Sequence, residues 1–288
     1  MSNLWEETSF IMKKYHVKAN KSLGQNFLID ENVINKIVEC SNIGKDDCVI
    51  EIGPGLGTLT KELLEKAGEV VCVELDKKMI PILKDRFLLY KNLEIINDDI
   101  LRLDLKKLIS DKKSNGFKQV KIVANLPYYI TTPIIMKLLE EKLDLESITV
   151  MVQKEVADRL IAIPGGKDAG AITYSVYYYA EGEKILEVQK DSFIPEPEVT
   201  SQVIKLNIRK VAPVNLERPD VMFRIIKCAF MQRRKTLLNA LVNTRVFLNK
   251  EEGIKILKKL NLNENVRAEE LSIQDFANIT KSITTIPS

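Results

Sequence analysis

The stretch "CVIEIGPGLGTLTKELLEK", Cys48 to Lys66, decides how this chain folds. Its opening five residues, apolar apart from Glu51, read as a buried strand, and "TLTKELLEK" carries its apolar residues at helical spacing. Between them Gly53, Gly55 and Gly57 permit a tight turn where a ligand approaches the backbone just before a helix begins at about Thr58. Taken alone the motif also fits a plain strand-to-helix turn. Its G-x-G-x-G spacing differs from the G-x-G-x-x-G of a dinucleotide fold.

Outward from this stretch the pattern repeats. "VVCVEL", "LEIIN", "VKIVAN" and "SITVMVQ" read as further strands, separated by the helical "KKMIPILKDRFLL" and "PIIMKLLEEKL", which argues for βαβ units and a parallel sheet. "AITYSVYYYA" and "SQVIKLNI" follow closely and read as an antiparallel end, making seven strands. After "NIRKVAPVNLERPD" the chain reads as helices only: "VMFRIIKCAFMQRRKTLLNALV", "KEEGIKILKKL" and "SIQDFANITKSI". The spacing places a boundary near residue 210.

Bulk properties set limits. A chain of 288 residues suits about two domains, and 45% hydrophobic content fills a core. With 43 basic and 40 acidic residues the net charge is +3, so any affinity for nucleic acid rests on local clusters. Cys40, Cys48, Cys72 and Cys228 form no C-x-x-C pair and read as reduced thiols of a cytoplasmic protein. The start, "MSNLWEETSF", has no basic region leading an apolar core, and no apolar run approaches the roughly 18 residues of a membrane span, so neither export nor anchoring is expected. One histidine, His16, and no cysteine cluster leave little from which to build a triad or a zinc site, and no metal is expected.

Acidic residues end the next two strands. Glu74 in "VELD" lies about 20 residues past the glycines, where a carboxylate takes both hydroxyls of a ribose. Asp99 in "INDDIL" reaches the same edge and can accept from an adenine amino group, while Asp98 reads as a solvated neighbour. Three strand ends therefore describe one nucleoside pocket, and the lack of a phosphate-binding lysine after the glycines argues against a triphosphate.

"SLGQNFLID", "EIGPGLGTLT", "VELD", "DDIL", "NLPYYI", "QKEVADRL" and "FIPEPEVTS" occur in this order, and the chain thereby resembles the ribosomal RNA adenine N6-dimethyltransferases over essentially its whole length. "AFMQRRKTLLNAL" is similar to the small-subunit branch. The resemblance implies an α/β class I (Rossmann-like) methyltransferase domain over residues 1–209, with a seven-stranded mostly parallel sheet, and a small all-α RNA- or ribosome-binding domain over 210–288. It implies S-adenosylmethionine as methyl donor, lined by Asn26 and Leu28 with Gln25 beside them, with Glu51 in the same pocket, the loop of Gly53, Gly55 and Gly57 under the methionine tail, Glu74 on the ribose, Asp99 on the adenine and Asn125 beside the sulfonium.

Within that family "NLPYYI" acquires a chemical meaning. The amino group of adenine is a poor nucleophile because its lone pair is delocalised into the ring. Acceptance of its two hydrogens by the Asn125 side-chain oxygen and the Leu126 carbonyl holds the nitrogen for in-line attack. Pro127 fixes the turn, and Tyr128 offers a face to the base, a contact worth roughly 1–3 kcal/mol. The resemblance assigns the opposite face to Phe193; Tyr129 reads as structural. The target base must be unpaired or flipped. Arg233, Arg234 and Lys235 are the candidates for RNA phosphates.

Two departures from the family pattern, Ala169 in "GGKDAG" and Glu198 in "FIPEPEV", bear on RNA contacts and leave the methyl-donor pocket untouched. The reaction implied is dimethylation of two adjacent adenosines in the 3′-terminal hairpin loop of small-subunit ribosomal RNA by a monomer acting on a subunit precursor. The alternatives are a mainly non-catalytic assembly factor and an enzyme acting on large-subunit RNA.

Overall fold

A computed structural model of the chain describes residues 3–20, 23–232 and 234–283. They form two compact units, Met1–Ala157 with Gly182–Ile208, and Asp158–Glu181 with Arg209–Ser288. Residues 158–181 thus pack with the C-terminal helices, although they lie between two strands of the sheet, and a single cut near residue 210 misses this excursion.

The first unit opens with α1 (Asn3–Lys14), a two-residue strand β1 (Phe27–Leu28) and α2 (Glu31–Cys40). Asp30 caps α2, accepting from the Asn32 and Val33 amides at 3.0 and 3.3 Å. Val33, Ile34, Ile37 and Val38 form the buried stripe of α2. There follow β2 (Asp47–Ile52), α3 (Thr58–Lys66), β3 (Glu69–Val73), α4 (Met79–Arg86), β4 (Leu93–Ile96), α5 (Leu105–Ser114), β5 (Gln119–Asn125), α6 (Thr131–Glu140) and β6 (Ser147–Gln153). After α7 (Lys154–Leu160) and α8 (Ala171–Tyr179) come β7 (Ala180–Val188), β8 (Phe193–Ile194) and β9 (Ser201–Ile208).

The seven-stranded sheet runs β4-β3-β2-β5-β6-β9-β7, with β2 to β6 parallel and β9 antiparallel to β6. All six residues of β2 are buried, as expected of a central strand covered on both faces. Register decides where the chemistry gathers: Ile52 pairs with Val73 and Ala124, and Val73 with Ile96. The residues that follow these four therefore emerge along one edge.

Gly57 caps α3 in the left-handed region at φ +81°. A Cβ there would lie 2.5 Å from the Phe87 ring. Gly57→Ala combines backbone strain with overpacking, and its expected cost is about 2–4 kcal/mol, read as a melting point lower by roughly 5–15 °C.

The structure corrects two expectations. "AITYSVYYYA" is not a strand: residues 171–179 form α8, and the strand beside β9 is the following, more polar β7. A short run rich in Tyr, Thr and Val suits either state by propensity, and burial on several sides erases the period that would separate them. Gly170 donates its N–H to Thr173 Oγ1 at 2.9 Å at the start of α8. Within the second unit Tyr174 is buried, its hydroxyl donating to the Leu271 carbonyl at 2.6 Å and its ring edge-on to Phe276 at 5.0 Å.

The long C-terminal helical run is also divided, into α9 (Pro219–Phe230) and α10 (Leu237–Asn243), before α11 (Lys250–Lys259) and α12 (Ile273–Ser282). Thr236 starts α10 anew, its hydroxyl accepting from the Asn239 amide at 3.4 Å. Arg234 and Lys235 are exposed in the intervening turn, and Arg233 lies outside the described residues. Ala169 is 1% exposed in the core of this unit, so packing accounts for a small residue there, whereas Glu198 is exposed.

Candidate active site

At the carboxyl edge of β2, β3, β4 and β5 lies a cleft of about 1050 Å³, its open mouth included. Gln25, Asn26, Leu28, Glu51, Gly53, Gly55, Glu74, Asp98, Asp99, Asn125, Leu126, Pro127 and Tyr128 all line it. Gly57 does not; it serves the turn into α3.

The glycine loop is held by its neighbours. Gly57 donates to the Pro54 carbonyl at 2.8 Å, closing the turn. The Glu74 carboxylate accepts from the Gly55 amide at 3.0 Å and from the Asp76 amide at 2.8 Å. Burial pushes its pKa up, and these two hydrogen bonds oppose that rise. Gly53 stands at φ +68° with nothing within 4 Å of where a Cβ would be. That open space above the backbone fits the tail of a bound nucleoside sulfonium. Gln25 is pinned on the rim, donating to Asp76 at 2.9 Å and accepting from the Asn20 amide at 2.8 Å.

Glu51 is buried beneath the loop, where its carboxylate accepts from the Thr60 hydroxyl at 2.6 Å and the Cys72 thiol at 3.5 Å. Burial raises its pKa from 4.5 to about 7. The folded protein keeps this proton up to about pH 7, whereas the unfolded chain releases it near 4.5. The contribution to stability is therefore full below 4.5 and is lost as pH rises toward 7. Glu51→Gln should flatten that loss, by at most about 3 kcal/mol between pH 5 and 8, as measured by urea unfolding across the range.

At the end of β5, Asn125 donates its Nδ2 to the Asn26 carbonyl at 3.1 Å. With Nδ2 so engaged, Oδ1 is the remaining acceptor of a carboxamide that lines the cleft. The Leu126 amide donates to the Met151 carbonyl at 3.1 Å. Pro127, at φ −59° and ψ 132°, turns the chain. Its carbonyl accepts from the Ile130 amide at 3.2 Å and the Thr131 hydroxyl at 3.1 Å. The Tyr128 hydroxyl shares a 2.6 Å hydrogen bond with Ser201 that fixes the ring; burial raises its pKa.

Phe193 departs from its assigned place. It is 2% exposed and does not line the cleft. The short antiparallel pair of β1 and β8 sets Phe193 opposite Leu28, with both side chains in the core. Ile29 extends the pairing through its amide to the Ser192 carbonyl at 2.9 Å. Tyr129, read from sequence as structural, is instead 57% exposed and lines the cleft. Its ring would lie 3.3 Å from a Cβ at Gly24. No short-range pattern marks the β1–β8 pairing, since its partners are far apart in sequence.

A mostly parallel seven-stranded sheet that brings a glycine turn, an acid after its second parallel strand and an N-L-P-Y turn to one crevice defines a class I methyltransferase, and its methyl donor is S-adenosylmethionine. Comparison with known proteins narrows this. The family model for ribosomal RNA adenine dimethylase matches residues 16–285. Ribosomal RNA small subunit methyltransferase A of Alkaliphilus metalliredigens is 50% identical over 277 residues, 96% of each chain. The protein of the same name from Clostridioides difficile is 49% identical over 278 residues, 96% of this chain and 95% of its own. Among solved structures, a dimethyladenosine transferase from Plasmodium falciparum superposes with a TM-score of 0.72 at 26% identity, covering 88% of this chain and 95% of that one. The chain belongs to the ribosomal RNA adenine dimethylase family.

Proposed function

We propose that the protein transfers methyl groups from S-adenosylmethionine to N6 of two adjacent adenosines in the 3′-terminal hairpin loop of small-subunit ribosomal RNA. It acts in the cytoplasm, as a monomer, on a precursor of the small subunit. The observation that carries this reading is the Asn125 carboxamide, which lines the cleft and whose Nδ2 is engaged by the Asn26 carbonyl at 3.1 Å, leaving Oδ1 to act as an acceptor. Curated relatives named as small-subunit methyltransferases support the choice of RNA.

S-adenosylmethionine, when bound, supplies a methyl group activated by a sulfonium. The chain does the rest by positioning. Glu74 holds the ribose hydroxyls, Asp99 accepts from the adenine amino group of the methyl donor, and Gly53 leaves the backbone open beneath its tail. Asn125 Oδ1 and the Leu126 carbonyl accept the two hydrogens of the target amino group and aim its lone pair. Tyr128 stacks against the target base. Each transfer forms an N–C bond as the S–C bond breaks, leaving S-adenosylhomocysteine, and the methylated nitrogen then releases one proton to water; after the first transfer one hydrogen remains on the nitrogen, and either acceptor can keep it. Arg234 and Lys235, with Arg233 beside them in sequence, contact phosphates, so affinity for RNA should fall steeply with salt.

The test presents labelled S-adenosylmethionine to unmethylated small subunits, naked small-subunit RNA and large-subunit RNA, and maps the label. Label at two adjacent adenosines of the small subunit is expected. Label confined to large-subunit RNA contradicts the substrate, and tight binding of the subunit without any label contradicts the activity.

A further inference from the structure

Helix α1 precedes the stretch that the family model matches, yet one side chain connects it to the glycine loop. Arg86, the last residue of α4, donates from Nη1 to the Leu56 carbonyl and from Nη2 to the Glu7 carboxylate on α1. Leu56 stands between Gly55 and Gly57, and the Gly55 amide is already held from the other side by Glu74 at 3.0 Å. Two adjacent residues of the loop are thus gripped in opposite senses, one at its N–H and one at its C=O.

The surroundings make the arginine dependent on α1. Its side chain is only 9% exposed, against 34% for that of Glu7. A guanidinium so buried is costly without an opposing charge, and its planar fork suits two acceptors held at once. Burial pulls the Arg86 pKa down and Glu7 pulls it back up. Next in sequence, Phe87 fills the space beside Gly57, so this end of α4 supports the loop by packing as well. A second tie to the same helix runs from Lys14, the last residue of α1, and from Tyr15 just after it, to Asp85.

We infer that Glu7 and Arg86 are positioning residues for the methyl donor: α1, through Arg86, holds the Leu56 carbonyl and so keeps the glycine loop in the shape that receives S-adenosylmethionine. The inference rests on the assignment of the methyl donor to this loop. Neither residue touches the cleft, so the effect belongs to loop shape and is to be sought in affinity for the methyl donor.

Calorimetry with S-adenosylhomocysteine as the probe tests this on the full chain. Arg86→Lys, a point charge unable to hold both acceptors, should raise the Kd about tenfold, and Glu7→Gln about fivefold. Glu7→Gln should leave the KM for RNA and the kcat at saturating methyl donor within twofold of wild type. Asp85→Asn should lower the melting point slightly and leave the Kd within twofold. Should Arg86→Lys fail to fold, Glu7→Gln decides alone, because Glu7 is one-third exposed. Affinity within twofold of wild type in the folded variants overturns the inference, and so does equal weakening by Asp85→Asn, which would make general docking of α1 the cause. Failure of the wild-type protein to bind the probe would instead remove the methyl-donor site itself, and the inference with it.

Discussion

Asn125→Ala is expected to lower the rate of methyl transfer by about 10²–10³-fold, the range found when one preorganised polar group is removed from a transition state, while the Kd for S-adenosylhomocysteine changes by no more than a few fold. The amide has two jobs at one place. Its nitrogen ties the end of β5 to the Asn26 carbonyl at 3.1 Å, and in the proposed reaction its oxygen accepts from the target amino group. Alanine removes both, leaving the adenine nitrogen with the Leu126 carbonyl alone. Single-turnover kinetics at saturating methyl donor and RNA, set beside calorimetry, measure the two effects separately. Turnover within tenfold of wild type would remove the role given to the carboxamide.

Glu74→Ala is expected to act on the other half of the reaction, raising the Kd for the methyl donor by about 10²-fold or more. A carboxylate holding ribose hydroxyls makes charge-assisted hydrogen bonds, worth about 1.5–3 kcal/mol each. The same carboxylate holds the Gly55 amide at 3.0 Å and the Asp76 amide at 2.8 Å, so its loss also frees the glycine loop. Glu74→Gln keeps the shape and one acceptor oxygen, and should fall between alanine and wild type. An alanine variant that binds S-adenosylhomocysteine as tightly as wild type would place the ribose elsewhere.

The gathering of Gly53, Glu74, Asp99 and Asn125 at one cleft was legible in the sequence because strand ends place them there. Gly53 and Glu74 directly follow apolar strands, Asp99 stands just beyond a third and Asn125 ends a fourth, and parallel register carries them to one edge. What could not be read depends on contacts between distant residues. The pairing of Leu28 with Phe193 turns the phenyl ring into the core, away from the face that the resemblance assigned to it. Tyr129 was misplaced for a like reason: its neighbour at the cleft, Gly24, stands more than one hundred residues earlier.

The helical excursion of residues 158–181 was lost because α8 is apolar on most sides, leaving propensity as the only signal, and propensity favoured a strand. The break between α9 and α10 was hidden by "QRRK", whose residues form helix readily, while the Thr236 cap that starts α10 is a weak mark inside a long periodic run. Arg86 gave no signal at all, since a basic residue near the end of a helix is ordinary; only the fold reveals that it faces inward to the Leu56 carbonyl.

The central claim is geometric, and a crystal structure of the protein with S-adenosylhomocysteine and an RNA carrying the target adenosines tests it most directly. The flipped adenine is expected beside Tyr128, with N6 about 3 Å from both Asn125 Oδ1 and the Leu126 carbonyl and pointing at the sulfur. An adenine bound outside the cleft, with the Asn125 carboxamide turned to solvent, would contradict it.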